Sequence, residues 1–268
     1  MATSETDRQS SLIAEDEDST YEEENDSSAM SLVDHLEELR KRIFKSLIAI
    51  VVFSIVAFIF RTWIMDFLEW PLPAQANALQ KLGLGGKLVV TGVAEGFTTY
   101  LMVSIAVGIV AAIPVLLYQA WAFIAPGLYT HEKRHAVPFI FAGLALFVIG
   151  VSVGYVVLRY PIQWLINFGS ISFTELISAG SYFSFIAFFM LAFGLVFELP
   201  LVLTFMAKVG IISGETLKRK RAAAHVGMWV AATFLTPGAD IYSPIILGVS
   251  MSVLYELSII FIRFAVRD

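Results

Sequence analysis

Apolar residues fall into six long runs along the chain, at about 43–64, 97–121, 136–158, 182–207, 222–236 and 245–262. A helix needs about 20 apolar residues to cross the ~30 Å hydrocarbon core of a bilayer. The pattern therefore predicts an all-α integral membrane fold of six transmembrane helices. The third run is the cleanest, with 23 residues from Ala136 to Leu158 free of charge. Ahead of the first run, HLEELRKR at 35–42 has the period of an amphipathic helix. Leu32, Leu36, Leu39 and Ile43 share one face, and Glu38 and Arg42 stand four apart, where they can pair.

Prolines interrupt the runs at Pro114, Pro138 and Pro200. Each frees a backbone carbonyl and favours a kink, which a membrane helix tolerates where neighbours satisfy that carbonyl. The expectation is a kinked, concave bundle. Gly150 and Gly154 form a GxxxG step suited to close helix contact. The last two runs are tight, because only 41 residues between Arg221 and Arg263 must supply two crossings and the turn LTPGADIYSP. About 8 residues of turn leave ~16 per crossing, or ~25 Å at ~1.5 Å per residue. Helices five and six are thus expected to be short, with local membrane thinning or a recessed outer loop beside them.

Composition agrees with the pattern: 57% of the 268 residues are hydrophobic and 15% charged, against about 45–50% and about 25% in soluble domains. The net charge of −5 conceals a division. Residues 1–30 hold ten acidic groups and one basic group, while residues 31–268 hold 17 basic and 13 acidic groups. Segment 1–30 lacks the basic start and apolar core of a secretory signal. It buries too little apolar surface to offset ordering entropy, so we read it as a disordered acidic tail on a membrane domain at 31–268. With the N-terminus inside, inner segments own thirteen Lys and Arg and outer segments four, namely Arg61, Lys81, Lys87 and Arg159. This asymmetry predicts an N-in, C-in topology.

Few residues could carry chemistry. The chain has no cysteine, which excludes disulfides, thiolate metal sites and cysteine nucleophiles. HEKRH at 131–135 formally matches the HExxH zinc-protease pattern. Lys133 and Arg134 oppose a bound cation there, Pro126, Gly127 and Pro138 leave little continuous helix, and no third ligand follows. We expect no metal, no cofactor and no enzymatic activity. Glu198, in GLVFELP, lies within an apolar run, where a carboxylate costs roughly 2.5–3.5 kcal/mol and usually faces a cavity or a polar partner. Asp240 beside Gly238 reads as turn chemistry, and Glu256 lies near the end of the last run.

Several segments, taken in order, resemble one family: HLEELRKR, YQAWAFIAPGLYTHEKR, SYFSF followed by GLVFELP, KRKR at 218–221, and LTPGAD. Together they look like TatC, the multispanning subunit of the twin-arginine protein translocase, over essentially all of 31–268. The resemblance implies a multi-pass protein of a bacterial or archaeal type cytoplasmic (inner) membrane, or a plastid relative. It implies recognition of folded proteins bearing Arg-Arg signal peptides, single-span TatA and TatB type partners, assembly as a homo-oligomer within the complex, and export driven by the proton-motive force. Membrane lipid is expected as a partner and nucleic acid is not.

By the same resemblance, Glu38 and Glu132 are the chief signal-peptide carboxylates, with Leu39, Arg40, Arg42 and Lys133 in the same motifs. Phe123, Pro126 and Tyr129 match the loop that shapes the site, Glu198 the partner contact, and Asp240 the acidic residue of the outer turn. A guanidinium offers a planar fork that a carboxylate accepts bidentately and that lysine does not reproduce. The residues alone also allow a secondary transporter or channel. One strong intramembrane charge and the lack of an inverted repeat weigh against it, and a zinc protease is the remotest reading.

Overall fold

A computed structural model describes residues 32–73, 88–124, 136–169, 176–238 and 240–265. The tail at 1–30 lies outside them. The chain divides into two compact units, residues 1–44 and 45–268. The described part of the first unit is the amphipathic start of helix α1 (Leu32–Ile59). α1 continues into the second unit and is followed by α2 (Arg61–Leu68), α3 (Glu95–Ile124), α4 (Ala136–Val157) and α5 (Arg159–Gly169). Then come α6 (Ala179–Phe197), α7 (Leu199–Lys208), α8 (Gly214–Arg219), α9 (Arg221–Leu235) and α10 (Tyr242–Ala265). Among the described residues the one β-type pairing is an isolated bridge between Val89 and Ser178.

Five segments are long and apolar enough to cross a membrane: Val33–Ile59, Glu95–Ile124, Val137–Gly169, Ala179–Lys208 and Tyr242–Arg263. The fifth apolar run forms α9, which has 15 residues and so spans about 22 Å. That agrees with a short fifth helix. The sixth helix corrects the expectation, since α10 has 24 residues, or about 36 Å. Asp240 starts it early: Oδ1 accepts from the Ser243 amide at 2.6 Å and Oδ2 from the Ser243 hydroxyl at 2.6 Å. This is helix-capping geometry, and it puts Pro244 in the first turn, where a missing N–H costs nothing. Gly238 makes room for the cap, because a Cβ there would lie 2.7 Å from Asp240 Oδ2.

Two long segments break beside a proline. α6 ends at Phe197 and α7 begins at Leu199, with Glu198 at the junction. Pro200 has no N–H for the Val196 carbonyl, so the Glu198 amide donates to Leu195 O at 3.1 Å before the Val202 amide resumes the ladder to Glu198 O at 3.0 Å. Leu158 separates α4 from α5 ahead of Pro161, where the Leu158 amide still donates to Gly154 O at 2.9 Å and the Ile162 amide reaches Leu158 O at 3.4 Å.

The core of the second unit is an interlock of α4 and α6. A Cβ on Gly150 would lie 2.7 Å from Phe193 O and from Phe197 Cβ, and one on Gly154 would lie 2.9 Å from Phe193 Cβ. In return, Gly194 of α6 admits Phe147, whose Cε2 would meet a Cβ there at 2.6 Å. Phe147, Phe189 and Phe193 are buried. The glycine step is therefore a close contact, held by dispersion between large rings and bare backbone. At one end of these helices the Tyr182 hydroxyl donates to Leu68 O at 3.1 Å and the Tyr155 hydroxyl to Phe67 O at 2.7 Å, fixing the end of α2.

Candidate functional site

In the first unit, α1 places Glu38 and Arg42 one turn apart on one face. The Arg42 guanidinium donates to Glu38 Oε1 from Nη2 at 2.9 Å and from Nε at 3.3 Å. Glu38 Oε2 is buried and has no hydrogen-bond partner among the described residues. Arg40 is exposed and, two residues from Glu38, projects from the opposite side of the helix. Leu39 is half-buried. Of the expected signal-peptide residues, the structure thus joins Glu38 to Arg42 and leaves Arg40 apart. Pro126, Tyr129, Glu132 and Lys133 lie outside the described residues, as does the HEKRH stretch.

In the second unit, Glu198 is buried, at 8% exposure, and neither carboxylate oxygen has a hydrogen-bond partner among the described residues. It lines a cavity of about 320 Å³ with Leu117, Trp121, Phe139, Leu201 and Phe205. Trp121, Phe139 and Phe205 form a ring cluster with centroids 4.8–5.9 Å apart. Gly143 of α4 gives the carboxylate its space, since a Cβ there would lie 3.3 Å from Oε2 and 2.9 Å from Leu201 Cδ2. Burial of a polar group without a partner costs about 1–3 kcal/mol. Phe123 is half-buried near the end of α3, two residues beyond Trp121.

A family model described as Sec-independent protein translocase protein (TatC) matches residues 34–249. The chain belongs to the TatC family. It is 40% identical over 228 residues to the Sec-independent protein translocase protein TatC of Desulforapulum autotrophicum, covering 85% of this chain and 82% of that one. It is 35% identical over 236 residues to TatC of Escherichia coli strain K12, covering 88% and 89%. A crystal structure of the twin arginine translocase receptor TatC superposes with a TM-score of 0.71 at 33% identity, covering 87% of this chain and 100% of that one. A second, in DDM, gives 0.73 at 32% identity. The chain is thus a multi-pass component of the Sec-independent translocase, a protein-transport system.

Three features of this TatC-family chain escaped the reading of its sequence. The first is the aromatic lining around Glu198, which comes from α3, α4 and α7. The second is Glu95. Its Oε2 accepts from the Thr91 amide at 2.5 Å, the Thr91 hydroxyl at 2.7 Å and the Gly92 amide at 3.1 Å. Its Oε1 accepts from the Ser178 hydroxyl at 2.5 Å and the Gly180 amide at 3.0 Å. One carboxylate thereby ties the start of α3 to the start of α6. The third joins α9 to α10: Glu256 accepts from Arg221 at 2.7 Å and meets His225 Nε2 at 3.0 Å, while His225 Nδ1 meets the Ser252 hydroxyl at 3.1 Å. Arg221 with His225 and Ser252 with Glu256 are both i, i+4 pairs, a signal present in the sequence.

Proposed function

We propose that this chain is the signal-peptide receptor subunit of its translocase, binding Arg-Arg signal peptides of folded proteins at a cytoplasmic face that includes Glu38 and Glu132. The observation that carries the reading is Glu38. One of its oxygens already holds a guanidinium, and the other is buried without a partner. An i, i+4 pair on a helix stabilises by only about 0.2–0.5 kcal/mol. An incoming arginine competes with Arg42 for this carboxylate and gains the second oxygen, where lysine has no fork to offer. Leu39, Arg42, Phe123, Pro126, Tyr129 and Lys133 shape the surroundings, and Arg40 contributes charge from the far side of the helix.

In this reading the chain crosses the inner membrane six times with both termini cytoplasmic, α9 being the short fifth crossing, and residues 1–30 form an acidic tail. Glu198 meets a donor on a single-span partner of the TatA or TatB type, Asp240 holds the outer turn, and the complex contains several copies of this chain. Export draws on the proton-motive force, and the chain itself performs no catalysis. The test is a pull-down of the full-length chain with Arg-Arg and Lys-Lys signal peptides. Selective capture of Arg-Arg, lost in the Glu38→Ala, Glu132→Ala double variant, is the expected result. Equal capture of both peptides, or unchanged capture by the double variant, overturns it.

A further inference from the structure

A second cavity, of about 640 Å³, opens between the α7–α8 turn and the end of α10, lined by Ile212, Ser213, Glu215, Lys218, Ile259 and Arg263 among others. Its position follows from the sequence. Lys208 closes the apolar segment Ala179–Lys208 and Arg263 closes Tyr242–Arg263, so the cavity sits where two apolar helices reach water.

Local chemistry builds its walls. Gly210, at φ +79°, ends α7, and the Ile211 amide donates back to Met206 O at 2.9 Å, which turns the chain sharply. Ser213 then caps α8, accepting from the Thr216 amide at 3.1 Å. α8 is fixed on α10 by buried Leu217, whose carbonyl accepts from the Tyr255 hydroxyl at 2.9 Å. Lys218 and Arg263 therefore face one cavity from two helices, and neither forms an ion pair among the described residues. Two cations oppose the single carboxylate of Glu215, and Ile212, Ile259 and Ile262 make the apolar part of the wall.

We propose that this cavity binds the headgroup of an anionic phospholipid, with its phosphate between Lys218 and Arg263 and headgroup hydroxyls on Ser213 and Glu215. The cations match a phosphate, Glu215 and Ser213 match hydroxyl donors, and Ile212, Ile259 and Ile262 meet the glycerol and upper acyl carbons. A free phosphate shares the charge but has no use for the apolar wall. Basic pockets between membrane helices bind anionic lipid headgroups.

The experiment is native mass spectrometry of the full-length chain in detergent, titrated with phosphatidylglycerol or phosphatidylcholine. Phosphatidylglycerol is expected to bind about tenfold or more tightly than phosphatidylcholine. The Lys218→Gln, Arg263→Gln variant removes the difference. The Arg219→Gln, Lys220→Gln variant, which loses the same charge outside the cavity, keeps it, and millimolar inorganic phosphate does not displace the lipid. Equal loss in the two double variants means diffuse attraction to a basic surface and overturns the site. Displacement by inorganic phosphate makes it an anion site and overturns the lipid assignment.

Discussion

Replacing Glu198 by methionine separates stability from function. The carboxyl is buried beside an apolar cavity and finds no donor among the described residues, so in either protonation form it bears an uncompensated cost of about 1–3 kcal/mol. Methionine has similar length and no branch, fits the space left by Gly143, and brings a polarizable sulfur toward the Trp121, Phe139 and Phe205 rings. Glu198→Met should therefore stabilise the purified chain by about 1–3 kcal/mol, read as a rise in unfolding midpoint of about 2–10 °C for a chain of this size. Glu198→Gln keeps an unpaired polar group and should gain little. Under the proposed partner contact, both variants should lose partner capture and transport in membranes, because neither offers a carboxylate. The assay is thermal unfolding in detergent, run beside a transport measurement on the same variants. A Glu198→Met protein less stable than the parent refutes the reasoning, since it shows that the carboxylate is already satisfied.

Further outcomes follow from the same geometry. Gly150→Ala and Gly227→Ala gain the same helix propensity, but a Cβ at 150 meets Phe193 O at 2.7 Å while one at 227 meets nothing within 4 Å. The two should differ by the overpacking cost of about 1–3 kcal/mol in thermal unfolding, and equal midpoints would remove the interlock. Asp240→Ala loses a cap and strands the buried Ser243 hydroxyl, costing about 1–3 kcal/mol in the same measurement, whereas Asp240→Asn keeps one acceptor and loses less. Glu95→Gln puts an amide where two oxygens accept five hydrogen bonds, and should speed hydrogen exchange at the Ala179 and Gly180 amides more than tenfold.

Hydropathy made the long helices legible, since apolar length alone distinguishes Ala136–Val157 from its surroundings. Pro200 likewise announced the break at Glu198, because a missing N–H is a local fact. The length of α10 was not legible from its flanking arginines. Its start depends on Asp240 capping Ser243, and nothing in LTPGAD distinguishes a cap from a turn. The helical segment Arg159–Gly169 falls outside the apolar runs because its charge and polar residues dilute the apolar signal. At the site, Glu198 stood out as a lone charge in an apolar run, and the Glu38–Arg42 spacing predicted their pair. The rings around Glu198 and the His225–Glu256 contact did not stand out, because each depends on which faces of separate helices meet.

The interlock of α4 and α6 also has a kinematic meaning. Rings seated over bare glycine backbone on both sides cannot slide by a fraction of a turn without collision, and a full turn is about 5.4 Å. The two helices therefore travel as one body, and α3, packed on α6, is drawn along with them. Motion of these helices must then be taken up where the backbone ladder is already interrupted. Glu198, whose amide turns to Leu195 O, is such a joint, and under the proposed partner contact its engagement stiffens it.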